Sequence, residues 1–181
     1  SDPSLHKGTC RLAVIAESFD DLKHKTLDAL DKLDDSRKLK LLGRTGIFFS
    51  DAPIEGKIAF LFTGQGAQYP NMLQDLCLNF PKVRRWYDQL DNIFHERKFK
   101  PSQLLYPPPL GLSDKEEKII DDEFFKIDFG NDIVIVADQA LFELMQDLGV
   151  KCDTIVGHSN GEFSAMIAAR IVNLEDRDAV M

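Results

Sequence analysis

The strongest constraint on how this chain folds is a six-residue run near its end, Gly157-His158-Ser159-Asn160-Gly161-Glu162. It follows a short apolar run, Thr154-Ile155-Val156, and opens a helix-like stretch from Phe163 to Arg170. A strand that enters a helix through a sharp turn, with serine at the apex, is a nucleophile elbow. Such a turn strains the backbone at the serine. It also leaves no room two residues to either side, where Cβ atoms would collide with the neighbouring strand and helix. The strain holds the hydroxyl out of the sheet edge and aims the free N–H groups of the new helix at whatever the hydroxyl attacks. The pattern therefore points to acyl chemistry. A bare Gly-x-Ser-x-Gly arises by chance in roughly one chain in twenty of this length, and Ser159 alone also suits a helix N-cap. A cap, however, needs no glycine at both flanking positions.

A second motif lies earlier. Lys57-Ile58-Ala59-Phe60-Leu61-Phe62 is a short apolar run that reads as a buried strand. It ends in Thr63-Gly64-Gln65-Gly66-Ala67-Gln68-Tyr69-Pro70, where two glycines let the backbone bend tightly and approach a ligand closely. Taken singly, it reads equally well as a plain glycine turn between strand and helix.

Together the motifs Phe62-Thr63-Gly64-Gln65-Gly66-Ala67-Gln68 and Gly157-His158-Ser159-Asn160-Gly161-Glu162 resemble the acyltransferase domains of type I polyketide and fatty acid synthases, and the related malonyl-CoA:acyl carrier protein transacylases. The resemblance runs from about Arg11 to Met181 and is thinnest between His95 and Gly130. It implies an α/β fold with a mostly parallel sheet and helices on both faces. This is an incomplete α/β-hydrolase-like acyltransferase core, preceded by a small βαβ-like linker segment. It implies that Ser159 attacks the thioester of an acyl-CoA, and that the backbone N–H groups of Gln65 and Asn160 donate to the oxyanion. Gly64, Gly66, Gly157, His158 and Gly161 would line the site. The donors are backbone groups and an apolar residue is expected after the serine, so Asn160 is a departure that should alter the pocket wall. His158 reads equally as an imidazole satisfied beside the elbow.

A serine nucleophile needs a general base. In the family this is a histidine well downstream of the elbow, and an arginine nearer to it pairs with the malonyl carboxylate as a bidentate fork. Both, with a small ferredoxin-like subdomain, are expected beyond Met181. The histidines present do not substitute: His6, His24 and His95 lie in polar or charged stretches, and the side chain of His158 diverges from that of Ser159. The chain is therefore expected to carry the nucleophile and oxyanion hole without the base, and not to turn over alone. The implied reaction moves a malonyl or substituted malonyl group from coenzyme A, through Ser159, to the phosphopantetheine thiol of an acyl carrier protein. Acyl-CoA is a substrate here, with no permanently bound cofactor or metal, and a ketosynthase domain is the expected neighbour. Two rivals remain. One is a serine esterase or thioesterase of the α/β-hydrolase type, which would normally draw its donors from a His-Gly-Gly-type loop. The other is a non-catalytic structural or docking piece of a synthase.

The 181 residues carry 22 Lys and Arg against 30 Asp and Glu, a formal charge of −8. That argues against nucleic acid as a partner. Acyl-CoA and carrier proteins are anionic too, so a local basic patch is needed. Lys82, Arg84 and Arg85 are the candidate, with a solvated helix face as the plainer reading. Cys10, Cys77 and Cys152 match no metal spacing, and their odd number with no secretory segment suggests reduced thiols and a cytoplasmic setting. No apolar run reaches membrane-spanning length, so no membrane partner is expected.

Along the chain, residues 1–9 read as an expression scar or the tail of an upstream linker. Residues 10–55 resemble a ketosynthase–acyltransferase linker, and residues 56–181 the N-terminal part of an acyltransferase domain. Within the linker-like segment a strand is predicted over residues 10–16. A helix follows with Ser18 as its cap and Leu22, Thr26, Ala29, Leu30 and Leu33 on one face, ending at Asp34-Asp35-Ser36, and a strand lies between Arg44 and Ser50. Beyond the glutamine motif, helices are predicted from about Met72 to Phe80 and Lys82 to Phe94, the latter burying Val83, Trp86, Tyr87, Leu90 and Phe94. Proline-rich Pro101 to Leu112 reads as a loop. Ser113 caps a charged helix to about Phe125, and a long helix from Asn131 to Leu148 stops at Gly149. Asn131 stands near where relatives carry a pocket-lining glutamine. Asn173-Leu174-Glu175-Asp176 opens one more helix.

Overall fold

The computed structural model describes residues 10–33, 35–52, 55–108 and 111–172. The segment 1–9 and the helix start at Asn173 lie outside them. The chain divides into two compact units, residues 1–56 and 57–181.

In the first unit β1 (Arg11–Val14) pairs with β2 (Ile47–Ser50) in the register Arg11↔Ser50 to Val14↔Ile47. The pairing is antiparallel, so the strand–helix–strand order does not form the parallel crossover that names a βαβ unit. α1 (Phe19–Lys32) starts where Ser18 Oγ accepts the Asp21 N–H. Asp35 then caps a short helix not expected from the sequence, α2 (Ser36–Leu42), by accepting from Arg37 and Lys38 N–H. The core is small: Ala29, Leu42 and Ile47, with Val14 against them. Of the predicted α1 stripe Ala29 is buried, while Leu22 and Leu30 are exposed.

In the second unit β3 (Ala59–Phe62) and β4 (Thr154–Gly157) are parallel neighbours, Ala59 opposite Thr154 and Phe62 opposite Gly157. Parallel strands cannot be joined by a hairpin, and the long connection between them carries the helical core. The strand starts are tied where Asp153 Oδ2 accepts the Ile58 N–H at 2.8 Å and the Asp153 N–H donates to Ile58 O at 2.8 Å. The connection holds α3 (Gln74–Asn79), α4 (Pro81–Ile93), α5 (Pro101–Leu105), α6 (Asp114–Phe124) and α7 (Ile127–Asp147). α7 is the spine, burying Phe129, Ile133, Val136, Ala137, Ala140 and Leu144 against Val83, Tyr87 and Leu90 of α4. Trp86 and Phe94 flank this core half-buried, as the α4 stripe predicts.

Residues 101–105 correct the loop reading. Proline fits the first helical position, and Asp91 Oδ1 accepts the Ser102 N–H at 2.9 Å while Leu104 and Leu105 are buried. α7 also starts earlier than expected, at Ile127, with Gly130 inside it. Its end follows the sequence: Gly149 has φ +84°, Val150 N–H donates to Met145 O, and Gly149 N–H to Gln146 O, a Schellman motif.

Phe142 of α7 packs edge-on against Phe60 and Phe62, with ring centroids 5.6 and 5.8 Å away. That covers one face of the two-stranded sheet. On the other face Leu61 and Val156 are 68% and 48% exposed, and no second helix layer lies over it among the described residues. α8 (Gly161–Ala168) follows β4 directly, which brings the elbow to the C-terminal ends of both strands.

Candidate active site

Ser159 has φ +57°, left-handed for a residue with a side chain, and such a conformation costs of order 1–3 kcal/mol. The flanking glycines enforce it. A Cβ on Gly157 would stand 2.3 Å from Gly161 O, and one on Gly161 would stand 2.4 Å from Phe62 O and 2.6 Å from Thr63 O. Helix and strand thus meet backbone to backbone, as the elbow pattern predicts. Both His158 and Ser159 are exposed.

The glutamine loop leans on the same turn. A Cβ on Gly64 would meet His158 O at 2.9 Å and Ser159 Cβ at 3.0 Å. Gly66 follows with φ +98° and open space around its Cα. Gln65, between them, is exposed. The residues singled out as site candidates, Gly64, Gln65, Gly66, Gly157, His158, Ser159, Asn160 and Gly161, therefore gather at the ends of two paired strands.

The N–H groups at the start of α8 are not all free. Gly161 donates to His158 O at 2.9 Å, Glu162 to Ser159 O at 3.0 Å and Phe163 to Asn160 O at 3.1 Å. Among the described residues the N–H groups of Asn160 and Gln65 have no protein acceptor. Two open donors thus belong to residues adjoining the contact between Gly64 and Ser159. No histidine among the described residues hydrogen-bonds the Ser159 hydroxyl, and His95 Nδ1 contacts Asn92 O instead.

This constellation has counterparts in known proteins. A family model described as "Acyl transferase domain" matches residues 59–180. The chain belongs to the acyltransferase domain family. Among curated relatives of this acyltransferase chain, a polyunsaturated fatty acid synthase component from Thraustochytrium sp. is 30% identical over 97% of the chain, and a highly reducing polyketide synthase of Eupenicillium brefeldianum is 31% identical over 66%. The chain spans only 6% and 5% of those proteins. The acyltransferase domain from the second module of the salinomycin polyketide synthase superposes with a TM-score of 0.66, at 25% identity, over 93% of this chain and 35% of that one. The malonyl CoA-acyl carrier protein transacylase from Clostridium perfringens gives 0.55, at 27% identity, over 67% and 34%. The family's α/β fold is thus this chain's fold.

Three features of this acyltransferase chain were not legible beforehand. The Asn160 side chain is engaged, its Nδ2 donating to Asn131 O of α7 at 3.2 Å. Gln68 Oε1 accepts the Gly66 N–H at 2.8 Å. Asp138 of α7 is half-buried near Thr63 and Ser164. Burial pushes its carboxyl up to about 6, against the opposing pull of the Ser164 hydroxyl and the Thr63 backbone. Neither Asp138 Oδ2 nor Ser164 Oγ has a hydrogen bond of normal geometry among the described residues. Only Asp138 left a trace in sequence, as a charge inside the apolar run Ile133 to Leu141.

The candidate basic patch resolves into ion pairs: Lys82 with Asp147 at 2.6 Å, Arg84 with Asp88 at 3.6 Å and Arg85 with Glu143 at 2.8 Å. Each cation faces a carboxylate, so α4 presents a neutralised surface to an anionic ligand. A groove of about 940 Å³ between α4, α7 and α8 is lined by Trp86, Leu90, Ile135 and Ile167, but by no elbow residue.

Proposed function

We propose that this chain is the nucleophile-bearing part of an acyltransferase that moves a malonyl or substituted malonyl group from coenzyme A to the phosphopantetheine thiol of an acyl carrier protein. The observation that carries the reading is the left-handed Ser159, wedged between Gly157 and Gly161 with the open N–H groups of Gln65 and Asn160 beside it. Ser159 Oγ attacks the thioester carbonyl and gives its proton to a general base, which the described residues do not supply. The oxyanion forms between the two N–H groups, and collapse expels the coenzyme A thiol with a proton returned to sulfur. The carrier thiol then attacks the seryl ester and regenerates Ser159, which is ping-pong chemistry. Two preorganised donors supply about 3 kcal/mol of barrier lowering each.

The malonyl group and the carrier enter because the Clostridium perfringens relative is a malonyl CoA-acyl carrier protein transacylase. The synthase relatives support a multidomain setting. In that setting the first unit serves as the linker from a ketosynthase, residues 56–181 open the acyltransferase domain, and acyl-CoA comes and goes as substrate with no resident cofactor. No histidine hydrogen-bonds Ser159 among the described residues.

The test is acyl loading in the full-length protein with labelled malonyl-CoA, followed by mass spectrometry of the peptide containing Ser159. Label on Ser159, lost in Ser159→Ala, is the expected result. Loading retained in Ser159→Ala would overturn the assignment. Release of free malonate faster than transfer to a carrier thiol would make the protein a thioesterase instead.

A further inference from the structure

Both donors of the proposed oxyanion hole are built on turns, and each turn meets the same place on α7 through a side-chain amide, Asn160 by a hydrogen bond and Gln68 by packing. The first tie is Gln68. Its Oε1 accepts the Gly66 N–H at 2.8 Å, which fixes the backbone just after Gln65. The other end of that amide rests in a notch at Gly130, where a Cβ would come 2.7 Å from Gln68 Nε2 and 3.1 Å from its Cδ. Gly130 is buried and helical, so the missing side chain is space for Gln68 and not a conformational need. The second tie is Asn160, whose Nδ2 donates to Asn131 O at 3.2 Å, one residue further along α7. Gln65 sits one residue before the bonded Gly66, and the Asn160 N–H belongs to the tied residue itself.

We propose that one turn of α7, Gly130–Asn131, is the shared anchor that sets the spacing of the two oxyanion donors, with Gln68 and Asn160 as positioning residues. The inference rests on the reading of Gln65 and Asn160 as donors. It adds what holds two separate turns in register. The sheet aligns the two strands and Gly64 packs on the elbow, but neither holds the backbone beyond Gly64, where the loop has a glycine on each side of Gln65. A side-chain amide clamped against a rigid helix removes that freedom before the reaction, which is where preorganisation acts.

Gly130→Ala separates this role from ordinary stability. Alanine is the better helix former, so the thermal midpoint should hold or rise. The new Cβ meets the movable end of Gln68, so the amide is pushed off its notch and loosens from the Gly66 N–H. In the full-length protein loaded from malonyl-CoA, Gly130→Ala should lower kcat for acylation about tenfold with KM little changed. Gln68→Ala should do the same, and Gly130→Ala added to Gln68→Ala should cost little more. Gln68→Glu, which keeps the acceptor for Gly66, should restore most of the rate. Asn160→Leu should cost about threefold through the other tie.

Losses that multiply in the double variant, or a Gly130→Ala protein as fast as wild type, would overturn the anchor. A neutral Asn160→Leu would remove Asn160 from it. Hydrogen exchange of the peptide spanning Gly64 to Gln68 reads the anchor without activity. Faster exchange in Gly130→Ala supports it, and unchanged exchange overturns it. A wild-type protein that takes no malonyl group would instead overturn the functional reading, and the exchange result would still decide the anchor.

Discussion

The elbow and the glutamine loop place their functional groups side by side, yet glycine serves them through different physics. At the elbow, Gly157 and Gly161 have no positive φ. They are required because a Cβ would enter backbone atoms of the neighbouring element, and the unusual backbone falls on Ser159. In the loop the two needs are split. Gly64 is required for space against the elbow, and Gly66 for its φ of +98°, at a place where a Cβ would meet no atom. On the proposed reading, close approach puts the strain on Ser159 itself, whereas beside Gln65 the special conformation falls on the neighbouring Gly66, whose N–H the Gln68 side chain accepts.

The largest effect should come from Gly161→Ala. The Cβ would lie within 2.6 Å of two carbonyl oxygens of the β3 end, and neither atom can rotate away. Separating strand from helix should destabilise the second unit by about 3 kcal/mol and abolish Ser159 labelling. Thermal unfolding together with the loading assay checks both. An unshifted midpoint would mean that the turn is not held by backbone packing.

Next come the loop glycines, and here the contrast becomes quantitative. Gly64→Ala presses on His158 O and Ser159 Cβ, so it should reduce acylation about 100-fold, the scale of a misplaced oxyanion donor, with a smaller loss of stability. Gly66→Ala meets no atoms but must hold a disfavoured φ, at about 1–2 kcal/mol. It should cost about tenfold or less, because an open site lets the loop relax. Equal losses from the two substitutions would erase the distinction between space and conformation.

How much of this could be read from sequence follows from where each constraint lies. The elbow was legible because the residues it needs are five consecutive ones, Gly157 to Gly161, although what requires Gly161 is the distant Phe62 and Thr63 backbone. The cap of α1 at Ser18, the stripe of α4 and the stop at Gly149 are local in the same way. α5 was missed because five residues are too few to show a period, and its start is secured by Asp91 from another helix. The exposed Leu22 and Leu30 show that periodicity marks a helix face without saying what covers it. Lys82, Arg84 and Arg85 form a basic cluster only along the chain, since in space each is paired with an acid. The contacts of Gln68 with Gly130 and of Asn160 with Asn131 join a side chain to distant backbone, which leaves no pattern in either segment.

The smallest effect tests whether the two turns share a foundation. Asp138 lies beside Thr63, where the glutamine loop begins, and Ser164, in the helix that follows the elbow. Its carboxyl stands at about 6 in the folded protein against an ordinary 3.8, chiefly because burial disfavours the charge. The folded state therefore holds this proton more tightly than the unfolded chain does. The contribution of Asp138 to stability falls as pH rises from about 4 to 6 and is level above that. Asp138→Asn stays neutral throughout, so its stability curve should lack that fall. The variant should gain on the wild type by about 1 kcal/mol at pH 7, a figure reduced for the solvent screening of a half-exposed group. Unfolding by denaturant at pH 4 and pH 7 checks it. A wild-type curve that does not fall in this window would mean that Thr63 and Ser164 already compensate the charge. If the gain appears and acylation drops with it, the ionised carboxylate holds loop and elbow together at the expense of stability. If acylation is untouched, the two turns are joined without Asp138, through the sheet, the direct packing of Gly64 on the elbow and the Gly130–Asn131 turn.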